Sequence, residues 1–201
     1  MDKSRFEAFS DGVFAFAITL LVLGIVLPQL HQPSEAQLSS ALLGLWPNVI
    51  AYVLSFAVIG IMWQNHHALF RMIARVDRMT VFLNLTLLAA TVFIPFATNT
   101  LGTYPTMRAS TFLYGVVLTV CSTAYNLLLM HLVRRRAFNE NVGEKTIKAT
   151  IGAYRVGWVG YTASMLLALI APLAAFAVYL LIAGYYVFPR GVDSDAAESR
   201  P

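Results

Sequence analysis

Six long apolar stretches divide this chain, and they limit its fold more than any other feature. They lie between polar breaks near residues 6–27, 42–63, 79–98, 110–133, 152–171 and 173–189. A helix of about 20 apolar residues is long enough to cross the hydrocarbon core of a bilayer. Only 12% of the residues are charged, against about 25% in ordinary soluble domains. The stretches therefore predict an all-α integral membrane protein with six transmembrane helices per chain.

The polar breaks predict how the chain is organised. Residues 1–190 are expected to form one six-helix transmembrane domain, and the polar residues 191–201 a disordered tail. Ser34 followed by Gln37 has the spacing of a helix cap, which predicts a short helical turn before the second span. Pro172 separates the last two stretches, so a tight turn is predicted at residues 171–173. The two halves of the chain share no convincing repeat, so any symmetry must come from several copies.

Basic residues are distributed unevenly between the two sides of the predicted bundle. All the Lys and Arg residues except Arg108 fall on the side that carries both termini. Because short cytoplasmic segments of membrane proteins are enriched in basic residues, both termini are predicted to be cytoplasmic in a multi-pass protein of the cell membrane. These residues form no continuous stripe, so nucleic acid is not predicted as a partner. The single cysteine, Cys121, excludes an intrachain disulfide.

The first predicted helix carries two parallel stripes of side chains. A bulky apolar stripe recurs at intervals of three and four residues and comprises Phe9, Val13, Phe16, Leu20, Leu23 and Leu27. A stripe of small side chains runs beside it and comprises Ala8, Gly12, Ala15 and Thr19. Small residues let helix backbones approach closely in lipid, so one stripe is suited to packing while its neighbour faces something else. Periodicity leaves open whether the bulky stripe faces lipid or the interior of the protein.

Asp11 is an ionisable side chain one to two helical turns inside the first predicted span. Such a side chain costs at least about 2.5–3.5 kcal/mol at the bilayer centre and less near the interface, so it needs a partner. Arg5 precedes Asp11 by six positions and lies on a different face of the helix. We therefore expect Asp11 to contact another helix.

The second predicted span supplies candidate partners at the same depth. Its inner end carries Trp63, Gln64, Asn65, His66 and His67. An indole N–H or an imidazole can donate to a hydroxyl or a carboxylate, which predicts a polar clamp between this group and Ser10 or Asp11. The alternative is an interfacial belt with Trp63 at the headgroup level. Adjacent histidines point about 100° apart on a helix, so no metal site is predicted.

The pattern Arg-x-x-x-Phe-Ser-Asp at residues 5–11, continuing to Leu23, resembles the first-helix signature of the transmembrane protein 175 family. Members of that family are lysosomal potassium channels and their bacterial relatives. The resemblance implies the bacterial form, with one six-helix unit per chain assembled as a homotetramer. Trp63, His66 and His67 are compatible with that layout. The implied function is a potassium-preferring cation channel that has no cofactor, in which K⁺ is the permeant ion.

The same resemblance implies roles for the residues of the first helix. In that family the first helices of four subunits surround a central pore, and layers of hydrophobic side chains form the constriction. Carried onto this sequence, the pore-lining residues are Phe16, Thr19, Leu20, Leu23 and Leu27, with the last nearer the outer mouth. Arg5, Phe9, Ser10 and Asp11 match the motif, whose implied role is to hold the pore helix against its neighbours.

Two other classes of function compete with a channel. A secondary transporter of a small solute or ion usually has internal repeats, broken helices and charged midplane residues, and none is evident here. We interpret Asn84 as a satisfied buried amide and Pro95 as a helix-end proline near the end of the third span. A membrane enzyme needs a nucleophile with a base or a set of metal ligands, and His66, His67 and His131 supply neither, so no enzyme is predicted.

Overall fold

A computed structural model describes residues 3–30 and 34–187 of the chain. Within these ranges the protein has eight α-helices and one 3-10 helix, Leu21–Gly24, which continues the first α-helix. The α-helices are α1 (Lys3–Leu20), α2 (Glu35–Gly44), α3 (Trp46–Met72), α4 (Arg78–Thr91), α5 (Ile94–Thr103), α6 (Arg108–Arg134), α7 (Glu144–Ala168) and α8 (Pro172–Val187). The predicted all-helical fold is confirmed. The predicted tail, residues 191–201, lies outside the described residues.

The helices make six passes between the two ends of a bundle. The first pass is α1 with the 3-10 helix, the second is α2 with α3, and the third is α4 with α5. Within the described ranges, four segments are long and apolar enough to cross a membrane: Lys3–Gly24, Glu35–Met72, Arg78–Thr103 and Arg108–Arg134. The fifth pass is α7, and the sixth is the shorter apolar helix α8. The six-span architecture predicted from the sequence is therefore present.

Several helix ends differ from those predicted by hydropathy. The second pass continues to Met72 instead of ending near residue 63, and α7 begins at Glu144 instead of near residue 152. Helix ends depend on capping and chain reversal as well as on apolar content. The predicted cap is confirmed, because the Ser34 side chain accepts the backbone N–H of Gln37 at the start of α2. Pro172 separates the last two passes as predicted, but the turn lies at residues 169–171 instead of 171–173, because Pro172 is already the first residue of α8.

The third pass is broken in its middle. The first half, α4, ends at Thr91, and α5 begins at Ile94 with Pro95 in its first turn. Proline has no backbone N–H, and its ring collides with the preceding turn, so a continuous helix is interrupted there. The interpretation of Pro95 as a residue near the end of the span is wrong, because the pass resumes and continues to Thr103.

The end of the bundle that we call the basic end holds the start of α1, the ends of α3 and α6, and the start of α4. Its arginines include Arg71, Arg75, Arg78, Arg134, Arg135 and Arg136. The loops after α3 and α6 are joined by an isolated antiparallel bridge between Ile73 and Phe138. Lys3 Nζ donates to the Ile73 carbonyl at 2.7 Å, which fixes the start of α1 at the same end.

Hydroxyl groups form a cluster in the buried interior of the bundle. Ser55 Oγ of α3 lies 2.9 Å from Tyr114 Oη of α6 and 2.7 Å from Thr98 Oγ1 of α5. All three side chains are buried. Hydroxyls removed from water need such partners, so the cluster joins three passes without leaving an unsatisfied polar group among them.

Candidate functional site

The first helix has one buried face and one face without a partner in the described chain. The buried face comprises Phe6, Ser10, Phe14, Ala17 and, in the 3-10 helix, Leu21. These residues contact α3, α4 and α5. The large side chains on the other face are exposed, and Phe16 and Leu23 reach 61% and 69%. In a membrane, an apolar face of this kind is covered either by lipid or by another protein surface.

The five predicted pore residues lie on or beside one face of the first pass. Phe16, Thr19, Leu23 and Leu27 are exposed on the face of the first pass that has no partner, and Leu20 is half-buried at its edge. Thr19 Oγ1 donates to the Phe16 carbonyl at 2.8 Å, so its hydroxyl proton is used within the helix. The lone pairs of the Thr19 oxygen therefore point away from that bond and are available to a cation or to water.

Sequence periodicity did not identify the buried face. Phe6 and Phe14 are almost fully buried, yet neither belongs to the predicted bulky stripe. Large apolar residues occur around the whole of α1, so hydropathy alone carries little information on which face packs inward. The signal that was available is Ser10, which lies on the buried face together with both phenylalanines.

A hydrogen bond joins α1 to α3 close to the basic end. Trp63 Nε1 donates to Asp11 Oδ1 at 2.9 Å. The imidazole of His67 stacks on the Trp63 ring, with ring centroids 6.2 Å apart and planes inclined by 29°. The carboxylate of the motif therefore contacts another helix and not Arg5, which is exposed. A charge-assisted bond of this kind offsets part of the cost of holding a carboxylate inside a membrane bundle.

Behind this bond lies a buried row of three polar side chains. Asn84 Nδ2 of α4 donates to Ser10 Oγ at 2.9 Å, and His66 Nε2 of α3 lies 2.8 Å from Asn84 Oδ1. Since the amide oxygen is an acceptor, the His66 Nε2 atom donates in this arrangement. The row connects the first three passes, and we call it, together with Trp63 and Asp11, the polar clamp.

Aromatic rings enclose the imidazole of the polar clamp. The ring of Phe70 stacks on His66 with centroids 4.4 Å apart, and the ring of Phe14 meets it edge-on at 5.3 Å. His66 is 1% exposed. A fully enclosed imidazole is held in one orientation by packing, so the hydrogen bond to Asn84 has a fixed direction.

Two details of the clamp were not predicted. Asn84 was interpreted as a satisfied amide, which it is, but its link to Ser10 and His66 requires the third pass to lie against the first two. Trp63 and His66 were placed at the inner end of the second span, and this position is wrong because α3 continues to Met72. The four motif residues do not share one environment. Ser10 and Asp11 belong to the polar clamp, whereas Arg5 and Phe9 are exposed.

The two halves of the broken third pass hold different parts of the first pass. In α4, Asn84 bonds to Ser10 in the half of α1 near the basic end. In α5, Asn99 lies against the 3-10 helix, where a Cβ atom added at Gly24 would be 3.1 Å from the Asn99 Cβ. Glycine permits this close approach because it has no side chain. The break at residues 92–93 therefore lies between the two contacts.

Comparison with known proteins places this geometry in a family. The family described as the endosomal/lysosomal potassium channel TMEM175 matches residues 5–95, which include the first helix and the whole polar clamp. A potassium channel of Streptomyces collinus is 39% identical over 192 residues, which cover 93% of this chain and 92% of that protein. The chain belongs to the TMEM175 family. It spans nearly the full length of that bacterial member.

Solved and vertebrate TMEM175 proteins extend the comparison. The crystal structure of a lysosomal potassium-selective channel TMEM175 homologue from Chamaesiphon minutus is similar with a TM-score of 0.80 and 36% identity, covering 92% of this chain and 96% of that one. The human protein described as the endosomal/lysosomal proton channel TMEM175 is 37% identical over 103 residues, which are 48% of this chain and 20% of the human one. This chain is therefore similar to a bacterial TMEM175 protein over its whole fold.

Proposed function

We propose that this protein is a potassium-preferring cation channel of the cell membrane, in which four copies of the chain assemble around their first helices. The observation that carries the proposal is the face of α1 and the 3-10 helix that has no partner in the described chain, with Phe16 and Leu23 exposed. Membership of the TMEM175 family and the names of its bacterial potassium channels support it. The symmetric contact of four such faces covers apolar surface that one chain leaves open.

In the proposed pore, four copies of Phe16, Leu20 and Leu23 form successive apolar layers. These side chains offer no ligand to replace the hydration shell of a cation, so a narrow ring of them closes the pore by dewetting. The Thr19 oxygen lies between the layers and provides a polar stop, and Leu27 lies nearer the outer mouth. Because K⁺ gives up water more easily than Na⁺, an apolar constriction favours K⁺. No cofactor takes part.

The polar clamp gives the pore helix a fixed position within each subunit. Trp63 and Asn84 bond to the side of α1 opposite Phe16, so they orient the helix without contacting the ion. Arg5 and Phe9 lie on the exposed side near the basic end, where they are expected to meet a neighbouring subunit. The concentration of arginine at that end favours a cytoplasmic location for it and for both termini.

The test is potassium flux from liposomes that contain the purified protein. Leu23→Ala widens the proposed constriction and is expected to raise flux in the closed state, whereas Leu181→Ala, on an exposed position of α8, is the control and should leave flux unchanged. Equal flux from the wild type and Leu23→Ala would contradict the assignment of the constriction. Native mass spectrometry in detergent is expected to give a tetramer, and a monomer alone would contradict the assembly.

The broken third pass is the observation that favours the alternative, a secondary transporter. Discontinuous helices are a common feature of substrate sites in transporters, and the third pass is interrupted at residues 92–93, midway between its two ends. The flux experiment separates the two functions. A channel gives passive flux that reverses at the K⁺ equilibrium potential, whereas a transporter accumulates its substrate against a gradient of that substrate.

A further inference from the structure

A cavity of about 60 Å³ lies among α3, α6, α7 and α8, away from the proposed pore. Its apolar wall includes Val58, Met62 and Leu118, and its polar wall includes Asn65, Asn126 and Tyr161. None of the residues that line it has a charged side chain. None of the five polar-clamp residues lines this wall. The cavity is therefore separate from the polar clamp, although both contact the same turns of α3.

Some polar groups around the cavity are satisfied by the protein. Tyr125 Oη donates to the Met62 carbonyl, and Tyr154 Oη donates to the Asn65 carbonyl at 3.2 Å. The Asn126 amide nitrogen donates to the Ser122 carbonyl at 2.9 Å. These bonds fix the wall of the cavity and leave its shape independent of any ligand.

Three other polar groups of the wall have no hydrogen-bond partner in the part of the chain that the structure describes. They are the Tyr161 hydroxyl, the Asn65 side-chain amide and the Asn126 Oδ1 atom, which all belong to residues that line the cavity. In a membrane-spanning bundle, little water is available to pair a polar group that the protein leaves without a partner. The set offers donors and acceptors together, without charge, and so suits a neutral ligand that both donates and accepts.

We propose that this cavity binds a small aliphatic alcohol. A hydroxyl donates once and accepts up to twice, so it can donate to Asn126 Oδ1 while it accepts from Tyr161 Oη or the Asn65 amide. Its short alkyl chain lies against Val58, Met62 and Leu118. A cavity of about 150 Å³ holds the six carbon atoms of benzene and about 10–15 Å³ holds one water, so 60 Å³ accommodates about two to five non-hydrogen atoms, a range that includes the four of 1-propanol.

Cys121 provides a built-in probe of the site. It is the single cysteine of the chain and lines the cavity. In the reaction with methyl methanethiosulfonate, the thiolate forms a disulfide with the methylthio group, methanesulfinate leaves, and the thiol proton passes to the buffer. The reagent has six non-hydrogen atoms, so it reaches the buried Cys121 only when the helices around the cavity move apart. Bound 1-propanol occupies the same space and must leave first, so it is expected to slow the modification of Cys121 in a saturable way.

The experiment measures that rate by intact-protein mass spectrometry with protein in liposomes. Tyr161→Phe removes one hydrogen-bonding group from the cavity. The concentration of 1-propanol that gives half-maximal protection is therefore expected to be at least about threefold higher for this variant than for the wild type. Tyr104→Phe changes an exposed tyrosine outside the cavity and is the matched control. Cyclohexanol, which is too large for the cavity and enters lipid readily, controls for effects on the bilayer.

The outcomes distinguish binding from general solvent effects. Equal protection by 1-propanol and cyclohexanol, or protection unchanged by Tyr161→Phe, overturns the proposal. If the Cys121 thiol does not react, saturation-transfer NMR of 1-propanol with the purified protein replaces the labelling. A transfer signal that Tyr161→Phe removes and Tyr104→Phe retains supports the site, and no signal with the wild type overturns it. Neither measurement depends on ion conduction, so the result is independent of the proposed channel function.

Discussion

Asn84 donates a hydrogen bond to Ser10 across the interface between the third and first passes, at 2.9 Å. The Asn84 Oδ1 atom in turn accepts a hydrogen bond from His66 Nε2 at 2.8 Å. One uncharged side chain therefore connects three passes of the bundle, using its donor for one neighbour and its acceptor for the other. Because all three groups are buried, no water is available to replace either bond.

Asn84→Leu is expected to destabilise the protein by about 1–3 kcal/mol. Leucine has a similar size, but it leaves the Ser10 hydroxyl and the His66 N–H without their partner, and unpaired buried groups carry that cost. Equilibrium unfolding in mixed detergent micelles measures the change. Thr86→Val removes a hydroxyl from an exposed position of the same helix and is expected to have little effect. Equal stabilities of the two variants would contradict the role of Asn84.

Trp63→Phe removes the indole N–H and keeps an aromatic ring on α3. The loss of the bond to Asp11 is expected to cost about 0.6 kcal/mol and at most about 1.7 kcal/mol, the average and the maximum for hydrogen bonds between membrane helices. Trp46→Phe, at an exposed position at the start of the same helix, is the control. Combining Trp63→Phe with Asp11→Asn in a double-mutant cycle isolates the pair. Strictly additive effects would show that the two side chains do not interact.

Gly115→Ala is expected to destabilise the contact of α6 with α7 and α8 by about 1–3 kcal/mol, because a well-packed interface does not accept extra volume. A Cβ atom added there would lie 2.9 Å from the Met165 Cα and would collide with the Tyr179 hydroxyl. Gly152→Ala is the matched control, since nothing lies within 4 Å of its added Cβ. Alanine favours helix over glycine, so the control is expected to be neutral or stabilising by up to about 1 kcal/mol. If the Gly115→Ala variant were at least as stable as the Gly152→Ala variant, the result would contradict this packing.

Asp77 is expected to give the basic end a pH-dependent stability. The backbone N–H of Thr80, then its hydroxyl and His131, hold the pKa of the Asp77 carboxyl below its ordinary value of 3.8. A lowered pKa in the folded state means that the stabilisation is complete above that ordinary value and is lost as the pH falls below it. Arg135 lies 3.4 Å from the same carboxylate.

The measurement is the unfolding midpoint between neutral pH and pH 3. The stability of Asp77→Asn is expected to depend less on pH at the acidic end of this range than that of the wild type. The control is Glu144→Gln at the start of α7, where the Glu144 carboxylate lies 2.9 Å from Lys148 Nζ. This pair is almost fully exposed, so the substitution is expected to leave the curve unchanged. Identical curves for Asp77→Asn and the wild type would contradict the contribution of Asp77.

Several features of the fold and of the site follow from local sequence, whereas others depend on which helices pack against each other. The cap at Ser34 and the chain reversal at Pro172 involve residues close in sequence, so the residue types alone specify them. The need of Asp11 for a partner on another helix follows from the cost of its charge in a membrane. That Asn84 completes the row with Ser10 and His66 depends on the packing of α4, which no local pattern reports.

The sequence by itself determined that this protein is a six-pass helical membrane protein, because the length and apolar content of each stretch set the cost of leaving it in water. The motif at residues 5–11 was enough to identify the family that it resembles. Only the tertiary structure decided which face of α1 is buried, since that helix is apolar all round and its inward face is the one that complements α3 and α4. It also decided which residues line the cavity, because the wall of the cavity combines segments far apart in the chain.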